Sequence, residues 1–162
     1  TPIQTAAIFQ TFGNKGVRLS PILVSGCRDK DGNMTPTKVE PEVRVLSESA
    51  ASQTVDMLEK VVEKGPIGRT ARIFGYRVAG KTGTAQIAEG KGYGRLHAVS
   101  FVGLAPAEDP QYVVAVTAYK SRTVSNSLGA SPGFVAVMKQ VLKTYGIPPS
   151  TTKSKNIPTE WK

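Results

Sequence analysis

The stretch that most constrains this chain covers residues 79–85 and reads Ala-Gly-Lys-Thr-Gly-Thr-Ala. It places one cation, two hydroxyls and two glycines within seven residues. Two apolar, β-prone segments follow it closely, at 97–104 and 112–118. Consecutive strands with short links pair as an antiparallel meander. The sequence therefore predicts that residues 79–85 form one strand of an antiparallel sheet.

The side chains of this stretch suit a site that holds an anion and polarises a carbonyl. Lys81 offers a compact positive charge, and the hydroxyls of Thr82 and Thr84 can donate to a carboxylate. Gly83 has no Cβ, so a ligand or another backbone can approach it closely. Because side chains alternate along a strand, Lys81 and Gly83 are expected on one face and the two threonines on the other. Unpaired N–H groups on an edge strand could bind an oxyanion.

Three interpretations of the stretch remain open on the motif alone. The first is the Lys-Thr-Gly element of penicillin-recognising serine enzymes. The second is a P-loop, because residues 75–82 also fit G-x-x-x-x-G-K-[ST]. A P-loop must follow an apolar strand and open a helix, whereas 69–74 is basic and 85–94 contains three glycines. The third is a glycine-rich strand and turn without chemistry.

Composition narrows the class of protein. The chain has 162 residues, 40% of them hydrophobic and 20% charged, which is typical of a globular domain. Its net charge is +9, but the cations are scattered and few aromatic residues lie among them, so we expect no nucleic-acid partner. No apolar run approaches the roughly 18 residues of a membrane span. Cys27 and His97 are each the single residue of their type, so neither a disulfide, a metal site nor a cofactor is expected.

Three helices are predicted. The first begins at Thr1, which forms a capping box with Gln4, and this start leads us to expect that upstream sequence is missing. The second covers 48–64, and the third begins at Ser131. Apolar residues at helical spacing give the second and third helices one buried stripe each. These stripes are Ala51, Val55, Leu58 and Val62, and then Phe134, Val137, Met138, Val141, Leu142 and Tyr145.

The remaining segments carry weaker signals. Residues 29–33 predict a hairpin turn between a strand at 17–24, broken by Pro21, and a second strand within 35–45 that nearby prolines and glutamates keep short. The glycine-rich segment 89–94 is expected to be a flexible connection. The strand at 112–118 is nearly continuous in apolar residues, which predicts burial on both of its faces. The polar residues 147–162 are expected to form a flexible tail.

Three segments in this order carry a resemblance to a known family. They are residues 1–4 (Thr-Pro-Ile-Gln), 76–85 (Tyr-Arg-Val-Ala-Gly-Lys-Thr-Gly-Thr-Ala) and 100–106 (Ser-Phe-Val-Gly-Leu-Ala-Pro). The chain resembles, over residues 1–146, the C-terminal part of the transpeptidase domain of class B penicillin-binding proteins, with the division-type septal enzymes as nearest relatives. The resemblance implies an α+β fold, an antiparallel sheet flanked by helices. This chain would supply the last three strands and the closing helix.

The resemblance also implies an activity. Such proteins are serine-type D,D-transpeptidases, which cross-link peptidoglycan stem peptides through an acyl-serine intermediate and bind β-lactams. Lys81 would join the proton and hydrogen-bond network around the nucleophile, Thr82 would bind the terminal carboxylate, Gly83 would leave room, and Thr84 would give its backbone N–H to the oxyanion hole. The expected partners are the N-terminal remainder of the domain, stem peptides, β-lactams and membrane proteins of the division machinery. The family implies a membrane-anchored protein whose catalytic domain is extracytoplasmic.

One departure from the family pattern is large. The family needs Ser-x-x-Lys and Ser-x-Asn upstream of Lys-Thr-Gly, and neither occurs between Thr1 and Lys81. Residues 150–153 and 154–156 match these patterns, but they lie in the polar tail in the wrong place, so we interpret them as chance. We expect the nucleophilic serine to lie outside this chain and the chain alone to be inactive. Alternatives are a non-catalytic cell-wall or division scaffold of the same fold, a serine β-lactamase of the same superfamily, and a nucleotide-binding protein.

Overall fold

The computed structural model describes residues 1–66, 68–121 and 127–160. Three helices and seven strands occur in this part of the chain. In chain order they are α1 (Pro2–Gly13), β1 (Val17–Arg18), β2 (Gly26–Arg28), β3 (Met34–Pro36), β4 (Val43–Arg44), α2 (Glu48–Lys64), β5 (Ala79–Glu89), β6 (Gly92–Ala105), β7 (Tyr112–Ser121) and α3 (Ser131–Thr144). Two 3₁₀ helices, Gly68–Ala71 and Ser127–Gly129, precede β5 and α3.

The predicted antiparallel meander is confirmed. Strands β5, β6 and β7 form one sheet in that order, with Gly83 opposite Ser100 and Ser100 opposite Thr117. The flexible connection expected at 89–94 is wrong, because β5 continues to Glu89 and β6 begins at Gly92. Only a tight turn separates them, since Gly90 has a positive φ of 62° that glycine adopts without strain.

Burial of β7 on both faces is also wrong. Its residues from Tyr112 to Val116 are half-buried, and Thr117 to Lys120 are exposed. In the described part of the chain, β7 lies at the edge of the sheet opposite to β5. An edge strand has one covered flank, so apolar composition alone overstated its burial.

Helix α1 begins as the sequence predicted. The Thr1 hydroxyl accepts from the Gln4 backbone N–H, which completes the capping box. The helix ends at Gly13, and Gly16 then turns the chain with a φ of 87°. This helix packs across the sheet through Phe9, which is 8% exposed.

The hairpin was only partly predicted. The turn at 29–33 is confirmed: Asp29 accepts hydrogen bonds from Asp31 N and Asn33 N, both at 2.9 Å. The paired strands are β2 and β3, however, rather than 17–24 and 35–45. Residues 17–18 instead pair with β4. Pro21 has no N–H to donate to a ladder, so the predicted strand stops before it.

Helices α2 and α3 cover opposite faces of the sheet. The bounds of α2 agree with the prediction, and Ser47 caps it by accepting from Ala50 N at 3.1 Å. A first apolar cluster joins α1 and α2 to one sheet face, through Phe9, Val55, Ala79, Val102 and Leu104. A second joins α3 to the other face, through Phe101, Phe134, Met138 and Leu142. Val137 and Tyr145, predicted in the α3 stripe, are 47% and 63% exposed.

The residues that follow α3 contain no helix or strand in the described part of the chain. They nevertheless contact the turn before β5. The Tyr76 hydroxyl donates to Ile147 O at 2.7 Å, and Ser150 N donates to Gly75 O at 2.8 Å. The C-terminal segment therefore lies beside the entry to β5.

Candidate active site

Strand β5 presents the Lys-Thr-Gly-Thr run at an edge of the sheet. Lys81 and Thr84 are exposed, whereas Thr82 and Gly83 are half-buried. Lys81 Nζ donates to Thr82 O at 3.1 Å and lies 3.3 Å from Thr82 Oγ1. The lysine side chain therefore curls around the edge of its own strand.

This contact indicates which backbone groups lie on the open edge. Lys81 Nζ reaches both the carbonyl and the hydroxyl of Thr82, which places that carbonyl on the flank of β5 away from β6. Backbone groups alternate between flanks along a strand, so the backbone of Thr84, two residues later, points to the same flank. The edge can thus present a cation, two hydroxyls and main-chain polar groups together.

The glycine at position 83 leaves space for a side chain of the neighbouring strand. The row Gly83, Ser100 and Thr117 runs across all three strands on the face that α1 and α2 cover. A Cβ placed on Gly83 would lie 2.5 Å from Ser100 Oγ, closer than non-bonded atoms approach. The glycine therefore lets the Ser100 hydroxyl lie directly against the strand that carries Lys81.

An open hollow of about 450 Å³ borders this edge. Its walls are the start of α1 and the three strands beside it. The lining residues are Thr1, Pro2, Thr5, Gly83, Thr84, Ala85, Ala98, Ser100 and Thr117. Most of the polar atoms that these side chains contribute are hydroxyls, which can bind carbonyl and carboxylate groups without adding charge. Lys81, two residues before Gly83 on β5, carries a positive charge but does not itself line the hollow.

Ser100, Thr117, Thr1 and Thr5 were not predicted as site residues. Ser100 belongs to the segment that carried the family resemblance, but its place opposite Gly83 follows only from strand register. The two hydroxyls of α1 come from a segment about 80 residues away in sequence. A register-by-register pairing of 79–85 with 97–104 could have found Ser100, whereas no local pattern could have placed α1 there.

The P-loop interpretation is wrong. Residues 81–89 continue as strand β5 and open no helix. A P-loop holds phosphate with N–H groups that point together at a helix N-terminus. A strand has no such group of donors.

The tail matches to the serine motifs lie elsewhere. Ser150 Oγ accepts from Arg77 N at 2.9 Å, and Ser154 Oγ accepts from Lys60 Nζ at 2.9 Å. Neither residue lines the hollow beside Gly83. The two serines therefore bind the C-terminal segment to α2 and to the residues just before β5.

The single histidine, His97, and the single cysteine, Cys27, lie on strands β6 and β2. His97 is half-buried on β6 opposite Gln86, and Cys27 is exposed on β2. Among the residues that the structure describes, no three His, Cys, Asp or Glu side chains are grouped for a metal ion. Within the same residues, none of the helices combines the length and the apolar character that crossing a bilayer requires.

Comparison with known proteins agrees with this geometry. Residues 1–142 match the family described as penicillin binding protein transpeptidase domain. Stage V sporulation protein D of Bacillus subtilis is 38% identical over 154 residues, covering 92% of this chain and 24% of that protein. The peptidoglycan D,D-transpeptidase FtsI of Escherichia coli K12 is 35% identical over 164 residues, covering 96% of this chain and 26% of FtsI.

Solved structures show the same fold. Penicillin-binding protein 3 of Mycobacterium tuberculosis in complex with ampicillin superposes with a TM-score of 0.82 at 30% identity, covering 96% of this chain and 37% of that one. A peptidoglycan synthetase from Bifidobacterium adolescentis gives a TM-score of 0.86 at 25% identity, covering 98% of this chain and 29% of that one. The chain spans about a quarter of the length of the curated relatives it matches. The chain belongs to the penicillin-binding protein transpeptidase domain family.

Proposed function

We propose that this chain is the C-terminal part of a peptidoglycan D,D-transpeptidase and supplies one wall of its active site. The observation that carries the proposal is the exposed Lys81–Thr84 edge of β5 beside an open, hydroxyl-lined hollow. Such an edge offers a positive charge and fixed donors to a substrate that carries a carboxylate and a carbonyl. A D-alanyl-D-alanine terminus has both groups, and so does a β-lactam.

In the proposed reaction, a serine from outside this chain attacks the penultimate carbonyl of the stem peptide and loses its proton to a neighbouring base. The peptide C–N bond breaks, the terminal D-alanine leaves as an amine after taking up a proton, and an acyl-serine remains. An amine of a second stem peptide then attacks the acyl group and releases the serine. In a β-lactam the C–N bond that breaks lies within the ring, so the leaving amine stays attached.

The residues of β5 take separate roles in this scheme. Lys81 joins the hydrogen-bond and proton network around the nucleophile, and the Thr82 hydroxyl binds the substrate carboxylate. The Thr84 backbone N–H donates to the oxyanion, where fixed donors stabilise developing charge. Gly83 keeps this part of the strand clear. The contacts of Lys81 Nζ with the carbonyl and the hydroxyl of Thr82 support the assignments of Lys81 and Thr82.

The remainder of the same domain is the proposed structural partner. The chain covers 44% of a solved transpeptidase domain from Burkholderia pseudomallei penicillin-binding protein 3. Large apolar side chains are exposed between α1 and α2, at 37% to 100% of their full areas: Leu19, Ile22, Leu23, Val24, Met34, Val39, Val43 and Val45. A surface of this kind marks an interaction site. We assign it, in part, to the remainder of the domain.

Other features follow the family and are proposed with it. The substrate is a stem peptide, and membrane proteins of the division machinery are further partners. The full protein is anchored in the cytoplasmic membrane, with this domain on the extracytoplasmic side. The structure of Mycobacterium tuberculosis penicillin-binding protein 3 with ampicillin supports β-lactam binding by this type of domain.

Fluorescent penicillin labelling tests the proposal. We expect the isolated 162-residue chain to form no covalent adduct and the natural full-length protein to be labelled on one serine outside this chain. Thr82→Val should lower the acylation rate about tenfold to a hundredfold, because a hydrogen bond to a charged group contributes roughly 1.5–3 kcal/mol. Thr144→Val, the same change on exposed α3, is the matched control and should label normally.

Two outcomes would contradict the proposal. An adduct on the isolated chain would show that a nucleophile lies within these residues. A folded full-length protein that takes up no penicillin would instead indicate a non-catalytic scaffold domain.

A further inference from the structure

A buried ion pair lies just before the catalytic edge of β5. Arg77 Nε donates to Glu59 Oε1 at 2.6 Å, and Arg77 Nη2 donates to Glu59 Oε2 at 2.7 Å. The Glu59 side chain is 2% exposed and that of Arg77 14%. The hydrogen bonds to Glu59 raise the pKa of Arg77 and outweigh its partial burial. This forked geometry fixes the guanidinium plane against α2.

The backbone of Arg77 is fixed as well. Its carbonyl accepts from Ala107 N at 2.8 Å, in the loop after β6, and its N–H donates to Ser150 Oγ at 2.9 Å. Arg77 Nη1 also donates to Thr152 Oγ1 at 2.8 Å. One residue thus joins α2, the loop after β6 and the C-terminal segment.

The C-terminal segment 147–155 continues along α2 beyond Arg77. Lys60 Nζ, on a side chain that is 8% exposed, donates to Ser154 Oγ at 2.9 Å. Lys155 Nζ lies 2.7 Å from Asp56 Oδ2. These contacts, four residues apart on α2, follow one helical face. The segment therefore crosses α2 in an extended path that ends at the Arg77 contacts and the turn before β5.

Stability alone accounts poorly for this arrangement. A buried ion pair gains little net free energy over apolar groups of similar size, because both charges lose their hydration. Such a pair can instead fix one conformation among several of similar free energy. Arg77 lies four residues before Lys81 along an extended backbone, so a tilt or shift at Arg77 is transmitted directly to Lys81–Thr84.

We propose that Arg77 is a positioning residue for the Lys81–Thr84 edge, and that the C-terminal segment 147–155 is a strap that holds Arg77 in place. The inference rests on the proposed function for its catalytic consequence. It departs from the expectation of a flexible tail, and the strap is a testable physical contact whether or not the protein is an enzyme.

Hydrogen exchange on the full-length protein tests the strap without using activity. Ser150→Ala combined with Thr152→Ala removes two hydroxyls from the C-terminal segment and leaves the ion pair intact. We expect amides 78–84 to exchange about tenfold faster, while amides of β7 and α3 keep their rates. Thr151→Ala, between the two substituted residues and exposed, is the matched control and should change nothing. Unchanged rates at 78–84, or an equal rise in all three regions, would overturn the strap.

Acylation of the full-length protein tests the positioning role. Arg77→Lys keeps the charge but cannot bond both carboxylate oxygens of Glu59 in a fork. We expect the rate constant of acylation at saturating fluorescent penicillin to fall about tenfold to a hundredfold, because small displacements of catalytic groups have effects of this size. The concentration for half-saturation and the melting temperature should change little. Arg77→Met should be worse than Arg77→Lys in both rate and melting temperature, because it leaves the buried Glu59 carboxylate without its partner.

The outcomes separate this inference from the proposed function. For Arg77→Lys, a fall in melting temperature that parallels the fall in rate, or an acylation rate equal to that of the unsubstituted protein, would overturn the positioning role. A full-length protein that is never acylated would instead contradict the proposed function, and the exchange result would still decide whether the strap exists.

Discussion

Gly83 leaves room for the Ser100 hydroxyl of the neighbouring strand. Glycine at this position has ordinary strand geometry, so its role is to leave space rather than to allow a positive φ. The Ser100 hydroxyl fills that space from the neighbouring strand. The Ser100 side chain on β6 therefore accounts for the glycine in the Lys-Thr-Gly run.

Gly83→Ala should impair the site through this contact. The new Cβ would lie 2.5 Å from Ser100 Oγ but 3.9 Å from Ser100 Cβ, so the serine hydroxyl would have to rotate away while the two strands keep their spacing. We expect penicillin labelling of the full-length protein to fall by about tenfold or less, because the displaced Ser100 hydroxyl changes the wall of the hollow beside Thr84. Adding Ser100→Ala should recover much of the loss, because the nearest remaining atom is then Ser100 Cβ at 3.9 Å.

Gly92→Ala provides the control for this prediction. No atom lies within 4 Å of a Cβ placed on Gly92, so labelling should be unaffected. Equal losses in Gly83→Ala and in the double variant would show that Ser100 is not the obstacle.

Glu63 should make stability depend on pH at the end of α2. Burial raises its pKa, but hydrogen bonds from Lys60 and Ser154 and the nearby charges of Lys60 and Arg77 outweigh burial and lower it. A carboxyl whose pKa is lower in the folded state stabilises the protein above its unfolded pKa and loses that contribution as the pH falls through the folded value. The contribution is therefore present at neutral pH, begins to decrease near the unfolded pKa of about 4.3, and is lost as the pH falls further through the lower folded value.

Urea unfolding at two pH values tests this titration. At pH 7, Glu63→Gln should be less stable than the unsubstituted protein by roughly 0.5–1 kcal/mol, the range for a partly exposed ion pair. Near pH 3 the two proteins should have similar free energies of unfolding. A difference of the same size at both pH values would contradict the assignment.

At the scale of elements, local signals decided which predictions held. The caps of α1 and α2 and the apolar spacing of α2 and α3 lie within single segments, and the predicted helices match the observed ones closely. The short strands β1 to β4 have no such signal, because each has two or three residues and depends on a partner elsewhere in the chain. The same reason applies to β7, whose burial depends on which neighbours it has.

Helix α3 should contribute strongly to stability through Phe134. This side chain is fully buried, and its ring centroid lies 4.8 Å from that of Phe101. Phe134→Ala should lower the free energy of unfolding by about 3–5 kcal/mol, as loss of a buried aromatic side chain does. Urea denaturation measures the change.

Val137→Ala on the same helix is the comparison. Val137 is 47% exposed, so its truncation should lower the free energy of unfolding by about 0.5 kcal/mol or less. Similar losses for the two variants would contradict the division of α3 into a buried and an exposed face.

At the scale of the whole molecule, the sequence indicated the family and one wall of the site but not how distant segments meet. The run at 79–85 was identified from its residue types. Thr5 and Thr117 line the hollow beside Gly83 only because of tertiary packing. The buried pair Glu59–Arg77 carried no sequence signal, because each residue looks like an ordinary surface charge until its partner is known. The contacts of residues 147–155 are polar and therefore also left no hydrophobic pattern.

In the proposed enzyme, substrate binding and nucleophilic attack are carried out by different parts of the domain. In the proposed site, this chain would supply donors for the carboxylate and the carbonyl, and the attacking serine would come from the rest of the domain. A site divided in this way requires that the two parts be held in register. We propose that the contacts of Arg77 and the exposed apolar surface between α1 and α2 hold this chain in register with the rest of the domain.

A crystal structure of the full-length protein acylated by a penicillin is the most direct test. We predict that the penicillin carboxylate lies within 2.5–3.2 Å of the Thr82 hydroxyl, and that the acyl oxygen lies within about the same distance of Thr84 N. The acylated serine should belong to a segment outside these 162 residues. An adduct whose carboxylate and acyl oxygen make no contact with β5 would contradict the account.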